Sequence, residues 1–433
     1  MVSQLTARWW KAPHATHKLN AAVVVPASKS LSNRYLFLAS LANGTSTIHN
    51  VLNARDGQLM EQALSSLGAS IEKNGSTATI VPSFKEDTVK IDCGLAGTVM
   101  RFAPLLAAFR KGDTLFDGDE QAQIRPMKTT LDSLEKLGVK VTRHNGNSLP
   151  FTVHGTGIVE GGKIEIDASS SSQFITALLL ISFRCQQGLE IIHTGTNLPS
   201  LPHINMTCKT LESLGIETSF EEPARWTIKP QTLSPFEVTV EPDLSNAAPF
   251  ACAAMVTGGT VEIPHWPEHS TQAGFQLPQL LQRFGGTTQY RDGTMFFTGP
   301  DQLQSPGTLD LSAVGELAPN LAALCLLAPD PSEITGIEHL RGHETDRLKA
   351  LNTEFTNLGG KVSERKDSLA FTPSKLHGAN FKTYHDHRMA TTAAILGLKI
   401  PGIAIENIET TSKTMPDFVK LWNNMLSAKV HNE

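Results

Sequence analysis

Apolar residues along this chain fall into two alternating kinds of run. One kind is rich in Ala and Leu and apolar on nearly every face, as in Tyr35-Leu36-Phe37-Leu38, which predicts a buried helix. The other is amphipathic. Leu131, Leu134 and Leu137, and again Leu211 and Leu214, keep a three-residue spacing and stop at a glycine, which predicts a helix packed on one face and closed by a left-handed cap. The closing pair recurs as Leu67-Gly68, Leu137-Gly138, Leu214-Gly215, Phe284-Gly285 and Leu358-Gly359. After most of the Ala-rich runs comes a strand-like segment, at 44–51, 112–116, 188–193, 258–263 and 402–408. A last helix-like stretch occupies 418–426. Each unit reads as strand, helix, strands, helix, strand (βαββαβ), and about six units fill the chain.

A period of roughly 70 residues exceeds the 20–50 residues of solenoid repeats. It suits two similar globular domains of three units each, of α/β (α+β) class. The clearest break is at 230–235, where Pro230 and Pro235 bracket a polar stretch. The first domain is therefore expected at 25–232. The strand candidate at 19–25 has no helix before it and could supply the strand missing at the C-terminal end. The second domain is then discontinuous, 1–24 plus 233–433.

The Ala-rich helices open in an unusual way. Their starts are Ser28-Lys29-Ser30-Leu31-Ser32-Asn33-Arg34, Cys93-Gly94-Leu95-Ala96-Gly97-Thr98, Ser169-Ser170-Ser171-Ser172-Gln173, Asp243-Leu244-Ser245-Asn246, Gly315-Glu316-Leu317-Ala318-Pro319-Asn320 and Tyr384-His385-Asp386-His387-Arg388. A helix start carries unpaired N–H groups and the positive end of the helix dipole, so it attracts phosphate and carboxylate. Several such starts with Lys and Arg among them would gather a highly anionic small molecule.

Composition narrows the choice. The 433 residues are 40% hydrophobic with a formal net charge of −5, which disfavours nucleic acid as a partner and confines any anion site to a local cluster of cations. The five cysteines are scattered and mostly in apolar surroundings, as buried thiols in a reducing compartment would be. No apolar run reaches membrane-spanning length and the N-terminus lacks a signal-peptide core, so a cytoplasmic protein is expected.

Locally, Ser28 or Ser30 would serve as a helix cap, with Lys29 and Arg34 either solvated or facing an anion. Four serines before Phe174 exceed what a cap needs and favour phosphate. In the dense cluster 339–347, His343 and Arg347 would lie one turn apart beside Glu344 if the segment enters a helix. His385, Asp386 and His387 could bind metal, but no further ligand set is evident. Arg125-Pro126 and Lys413-Thr414 stand alone, each before a helix-like stretch. Neither G-x-x-x-x-G-K-[ST] nor G-x-S-x-G occurs, and Gly97-Thr98 is too short for a nucleotide loop.

In order along the chain, Ser28-Lys29-Ser30 with Arg34, Ala96-Gly97-Thr98, Arg125-Pro126, Ser171-Ser172-Gln173, Glu344-Thr345-Asp346-Arg347, Asp386-His387-Arg388 and Lys413-Thr414 resemble the motifs of the 5-enolpyruvylshikimate-3-phosphate synthase family. The resemblance spans Pro26 to Pro416. It implies two domains of three repeats, an inside-out α/β barrel, with the active site in the inter-domain cleft and closure on binding. It also implies transfer of the enolpyruvyl group of phosphoenolpyruvate to the 5-hydroxyl of shikimate 3-phosphate, by a monomer without cofactor or metal. Lys29, Ser30, Arg34, Ser171, Ser172, Gln173, Ser200, Glu316 and His343 would contact shikimate 3-phosphate. Lys29, Gly97, Arg125, Gln173, Arg347, Arg388 and Lys413 would contact phosphoenolpyruvate. Catalysis would fall to Glu316 as proton acceptor, Glu344 as proton donor and Lys29. Departures from the family pattern are Glu316 for a common Asp, His343 for Lys, His203 for Tyr and Leu95 for Asn. His343 would be a cationic contact only if protonated. Gly97 matches the pattern, so competition of glyphosate with phosphoenolpyruvate is implied. The alternative is the sister enzyme acting on UDP-N-acetylglucosamine. It carries a reactive Cys or Asp five residues before its Arg-Pro, where this chain has Glu120.

Overall fold

The computed structural model describes residues 8–428. The chain divides into two compact units, one running Ala27–Glu241 and the other made of Pro242 onward with the segment ending at Pro26. We call them the inserted and the enclosing unit. Among the described residues the strands form six sheets, three in each unit.

The middle repeat of the inserted unit shows how each sheet arises. Strand Val89–Asp92 leads into helix Gly97–Ala107, which returns the chain to strand Lys111–Asp117, parallel to the first. Helix Lys128–Lys136 follows, then the hairpin of Lys140–Asn145 and Ser148–Thr156, whose second strand pairs antiparallel with Lys111–Asp117. The repeat is thus βαβαββ: one strand separates the two helices and the hairpin follows the second, whereas the sequence pattern placed the strand pair between them. The reason is local. Each amphipathic helix ends on its glycine in a left-handed conformation, φ +81° at Gly138 and +84° at Gly215, and this turns the chain straight into a tight hairpin.

Two pairings between distant stretches of chain set the bounds of the units. Asn20–Ala22 pairs parallel with Thr260–Pro264, so it opens the first repeat of the enclosing unit. It does not complete the last repeat as expected; Trp9–Lys11 does, pairing with Ala404–Glu406. Glu237–Thr239 pairs parallel with Ser46–His49, which carries 233–241 into the inserted unit and moves the boundary from the expected 232 to Glu241. The prolines at 230 and 235 therefore bracket an irregular connection within a unit.

Each unit packs three inner helices against one another: Lys29–Ala39, Gly97–Ala107 and Gln173–Ser182 in the inserted unit, and Leu244–Thr257, Ala318–Leu327 and His387–Gly397 in the enclosing unit. They are buried on nearly every face because they have no solvent face. Leu36, Phe37 and Leu38 are fully buried, as are Leu178, Leu179, Leu180 and Ile181. Outer helices keep one wet face; Leu131 and Leu134 are buried while Glu135 is exposed. Most of the functional candidates collect at the starts of these helices or within their first turns.

Candidate functional site

In the inserted unit Ser28 caps the first inner helix, its Oγ accepting from Leu31 N at 3.4 Å. Lys29, partly buried, pairs with the buried Asp56 at 3.3 Å. Arg34 is buried one turn further on. It donates to Thr207 Oγ1 (2.9 Å), the Ser30 carbonyl (2.9 Å) and the His203 carbonyl (3.1 Å). Ser30 and Arg34 are therefore drawn together with His203, the residue standing in for the family's Tyr. Ser200 precedes its helix in a left-handed conformation with φ +53°, which a non-glycine residue adopts only when its surroundings hold it there.

The second and third inner helices begin side by side. Neither Ala96 nor Ser172 caps its helix with a side-chain hydrogen bond, which leaves their first N–H groups to other acceptors. Arg101 Nη1 donates to Gln173 Oε1 at 3.0 Å and lies near the Gly97 carbonyl. Arg125 Nη1 donates to the Leu95 carbonyl at 3.1 Å. A side-chain carbon on Gly97 would sit 2.9 Å from Arg101 Nη1, 3.1 Å from Arg125 Nη2 and 3.2 Å from Gln173 Oε1, so three side chains converge on this point. Ser171 Oγ accepts from Gln173 N at 3.3 Å, and Ser172 is the residue just before the helix. Leu95 contributes its backbone carbonyl in place of an Asn side chain. Arg101 was not singled out in the sequence; an arginine in the apolar run Val99-Met100-Arg101-Phe102, one turn after Gly97, is the signal that could have found it.

In the enclosing unit the three starts converge as well. Asp243 caps its helix through Asn246 N at 2.9 Å. Ser245 Oγ donates to Glu316 Oε2 at 3.2 Å, and the Ser245 carbonyl accepts from Arg388 Nη1 at 2.7 Å. Arg388 Nη2 lies 3.6 Å from Glu316 Oε2. Asp386, fully buried, caps the third helix through Arg388 N at 2.8 Å and takes Arg347 Nε at 2.7 Å and Nη2 at 3.2 Å. Arg347 Nη2 also donates to Glu344 Oε2 at 2.8 Å. Lys413 ends a short 3-10 turn and donates to the His385 carbonyl at 2.5 Å. The segment before Arg347 is not helical: Glu338–Gly342 is a 3-10 turn and the helix starts at Arg347 with Asp346 as cap. His343 and Glu344 thus reach Arg347 from a loop.

Electrostatics fixes two states in this network. Burial and the adjacent Arg347 push the His343 pKa well below its ordinary value, so the imidazole is neutral at neutral pH. Since arginine only donates, the 3.1 Å contact between Arg347 Nη1 and His343 Nδ1 makes Nδ1 the acceptor and puts the proton on Nε2. His343 is therefore a neutral hydrogen-bonding group at this position, not a cation. Asp386 and Glu344 hold Arg347 above even its ordinary high pKa, against the cost of burial. Asp386 is the second residue not assigned a role from sequence, although an Asp directly before an apolar helix is a recognisable cap.

The arrangement can bind anions at two clusters of helix starts and cations, and can move protons on Glu316 and Glu344. Among the described residues no cluster of three or more His, Cys, Asp or Glu could hold a metal ion, and no helix is long and apolar enough to cross a membrane.

Residues 13–422 match the family described as EPSP synthase (3-phosphoshikimate 1-carboxyvinyltransferase). A 3-phosphoshikimate 1-carboxyvinyltransferase of Kocuria rhizophila is 48% identical, the alignment covering 97% of each chain. One from Bifidobacterium longum is 47% identical over 98% of this chain and all of its own. In fold, the chain is similar to EPSP synthase of Acinetobacter baumannii (TM-score 0.78, 21% identity, 97% and 98% of the two chains). It is also similar to the enolpyruvyl transferase NikO of Streptomyces tendae (TM-score 0.74, 18% identity, 96% and 97%).

Proposed function

Because the chain belongs to the EPSP synthase family, we propose that it transfers the enolpyruvyl group of phosphoenolpyruvate to the 5-hydroxyl of shikimate 3-phosphate and releases phosphate. The observation that carries this reading is the continuous network Glu344–Arg347–Asp386 and Ser245–Arg388–Glu316. It sets two carboxylates able to exchange protons among the cations that two anionic substrates require.

The steps follow from charge and proton balance. Glu344 gives a proton to the methylene carbon of phosphoenolpyruvate, and the 5-oxygen bonds to the adjacent carbon as Glu316 takes the hydroxyl proton. The tetrahedral intermediate then collapses: the C–O bond to phosphate breaks, phosphate leaves, and the Glu344 carboxylate takes a proton back from the methyl group, leaving an enolpyruvyl ether. To donate, Glu344 must be released from Arg347 and take up a proton from solvent, and a substrate phosphate or carboxylate competing for that guanidinium would release it. Arg347, Arg388 and Lys413, with Arg125, Gln173 and the helix start at Gly97, hold phosphoenolpyruvate. Lys29, Ser30, Arg34, Ser171, Ser172, Gln173 and Ser200 hold shikimate 3-phosphate, and Lys29 serves both. Neutral His343 would contact that substrate as a hydrogen-bonding group. Arg101, crowding Gly97 beside Arg125, joins the phosphoenolpyruvate set. The same reading has the protein acting as a cytoplasmic monomer and glyphosate competing with phosphoenolpyruvate.

The test mixes purified protein with both substrates and follows phosphate release and product mass, with UDP-N-acetylglucosamine in parallel. Phosphate together with an enolpyruvyl-shikimate phosphate mass supports the reading. Turnover of the sugar nucleotide instead, or of neither acceptor, overturns it.

A further inference from the structure

We infer that Glu354 and Tyr384, which have no part in the chemistry above, are positioning residues that hold the Arg347–Asp386–Arg388–Lys413 cluster in its working geometry. The ligand of that cluster rests on the proposed function; the positioning rests on the geometry. Glu354 lies two turns beyond Arg347 on the helix Arg347–Asn357 and is 3% exposed. Its carboxylate accepts from Tyr384 Oη at 2.6 Å and from Lys382 N at 3.0 Å. A buried carboxylate is costly unless it is fully used, and an apolar pair would fill the same space, so the hydrogen bonds rather than the packing account for this choice.

What they hold is a turn the chain would not adopt unaided. Tyr384 and His385 are consecutive and both left-handed, φ +55° and +56°, a conformation that non-glycine residues keep only when neighbours impose it. Each outlet of this turn goes to the cluster. The His385 carbonyl takes Lys413 Nζ, and the next residue, Asp386, caps the helix at Arg388 and clamps Arg347. Burial and the Glu354 carboxylate raise the Tyr384 pKa, so its hydroxyl stays a donor throughout the working pH range. Glu354 and Tyr384 thereby fasten the turn to the helix that carries Arg347, and Arg347, Arg388 and Lys413, the enclosing unit's cations assigned to phosphoenolpyruvate, share one anchor.

The test uses Tyr384→Phe, which removes one oxygen, and Glu354→Gln, whose amide oxygen can still accept one of the two donors. The KM of each substrate is measured separately, and amide hydrogen exchange at 384–388 is followed in the substrate-free protein. In Tyr384→Phe the KM for phosphoenolpyruvate should rise about tenfold, that for shikimate 3-phosphate should stay within about twofold, and exchange at Asp386 and Arg388 should quicken. Glu354→Gln should lie between this variant and the parent. Unchanged exchange overturns the inference, as does a parallel rise of both KM values that tracks lost thermal stability. If the parent protein fails to turn over this substrate pair, the proposed function falls on its own, and the exchange data still decide whether the pair holds the turn.

Discussion

The two units set the same three inner helices to different electrostatic tasks. In the inserted unit the arginines near the helix starts are tied through carbonyls, a hydroxyl and an amide: Arg34 to Ser30, Thr207 and His203, Arg101 to Gln173, Arg125 to Leu95. Arg125 makes no ion pair among the described residues. In the enclosing unit the arginines are tied to carboxylates, Arg347 to Asp386 and Glu344, and Arg388 to Glu316. Neutral ties such as these orient a cation without themselves cancelling its charge. Carboxylate ties cancel the charge, and they place acids and bases where a bound anion can unbalance them. One architecture therefore yields an anion-binding start and a proton-transferring start, according to what faces each guanidinium.

The sharpest way to break this comparison is to neutralise the carboxylates. Glu344→Gln or Glu316→Gln should lower kcat by roughly 10²–10⁴-fold, the usual worth of a positioned acid or base, while moving either KM little. Steady-state kinetics decides it, and an unchanged kcat would remove proton transfer from that residue. Stability comes next. Asp386→Ala leaves Arg347 buried without its bidentate partner and should cost about 3–5 kcal/mol. Thr207→Val in the inserted unit removes one neutral partner of Arg34 and should cost about 1 kcal/mol. Urea unfolding of both variants compares them directly; equal losses would mean that the two units tie their arginines alike. Smaller again, Arg125→Ala should raise the KM for phosphoenolpyruvate roughly 10–100-fold with kcat nearly kept, the pattern of a group that binds ground and transition state equally. A loss carried mainly in kcat would make Arg125 part of the chemistry.

The same contrast explains what the sequence disclosed. Helix positions were legible because the Ala-rich runs and the Leu-Gly closures are local signals: helix Phe418–Ser427 and the strand Leu189–His193 lie where the pattern places them. Strand order within the repeat was not, since hydrophobic alternation does not say which neighbour a strand pairs with. The pairings of Asn20–Ala22 with Thr260–Pro264 and of Glu237–Thr239 with Ser46–His49 are long-range, with no local trace. At the site, helix starts and cations could be read from residue type. The partners could not: that Arg347 is held by Asp386, 39 residues away, and that Arg101 meets Gln173, 72 residues away, depend on tertiary packing. For His343 the sequence left the charge open, because an imidazole's state is set by what surrounds it.

That charge is also the finest probe of the enclosing unit. The folded protein holds His343 neutral, its pKa pushed well below 6.5 by burial and by Arg347, against the opposing pull of Glu344 and Glu316. The unfolded chain takes up a proton near 6.5. Between these two values the unfolded state binds more protons than the folded state, so stability falls as the pH drops below about 6.5 and is unaffected by this group above it. A single site contributes at most about 1.4 kcal/mol per pH unit. His343→Asn should therefore flatten the acid limb of a stability-against-pH curve and leave its neutral plateau unchanged in shape. If the imidazole instead titrates near 6.5 in the folded protein, as nuclear magnetic resonance of His343 would reveal, Arg347 has been relieved of its contact with Nδ1. The residue would then be a switchable cation, and the enclosing unit would gain a positive charge in acid.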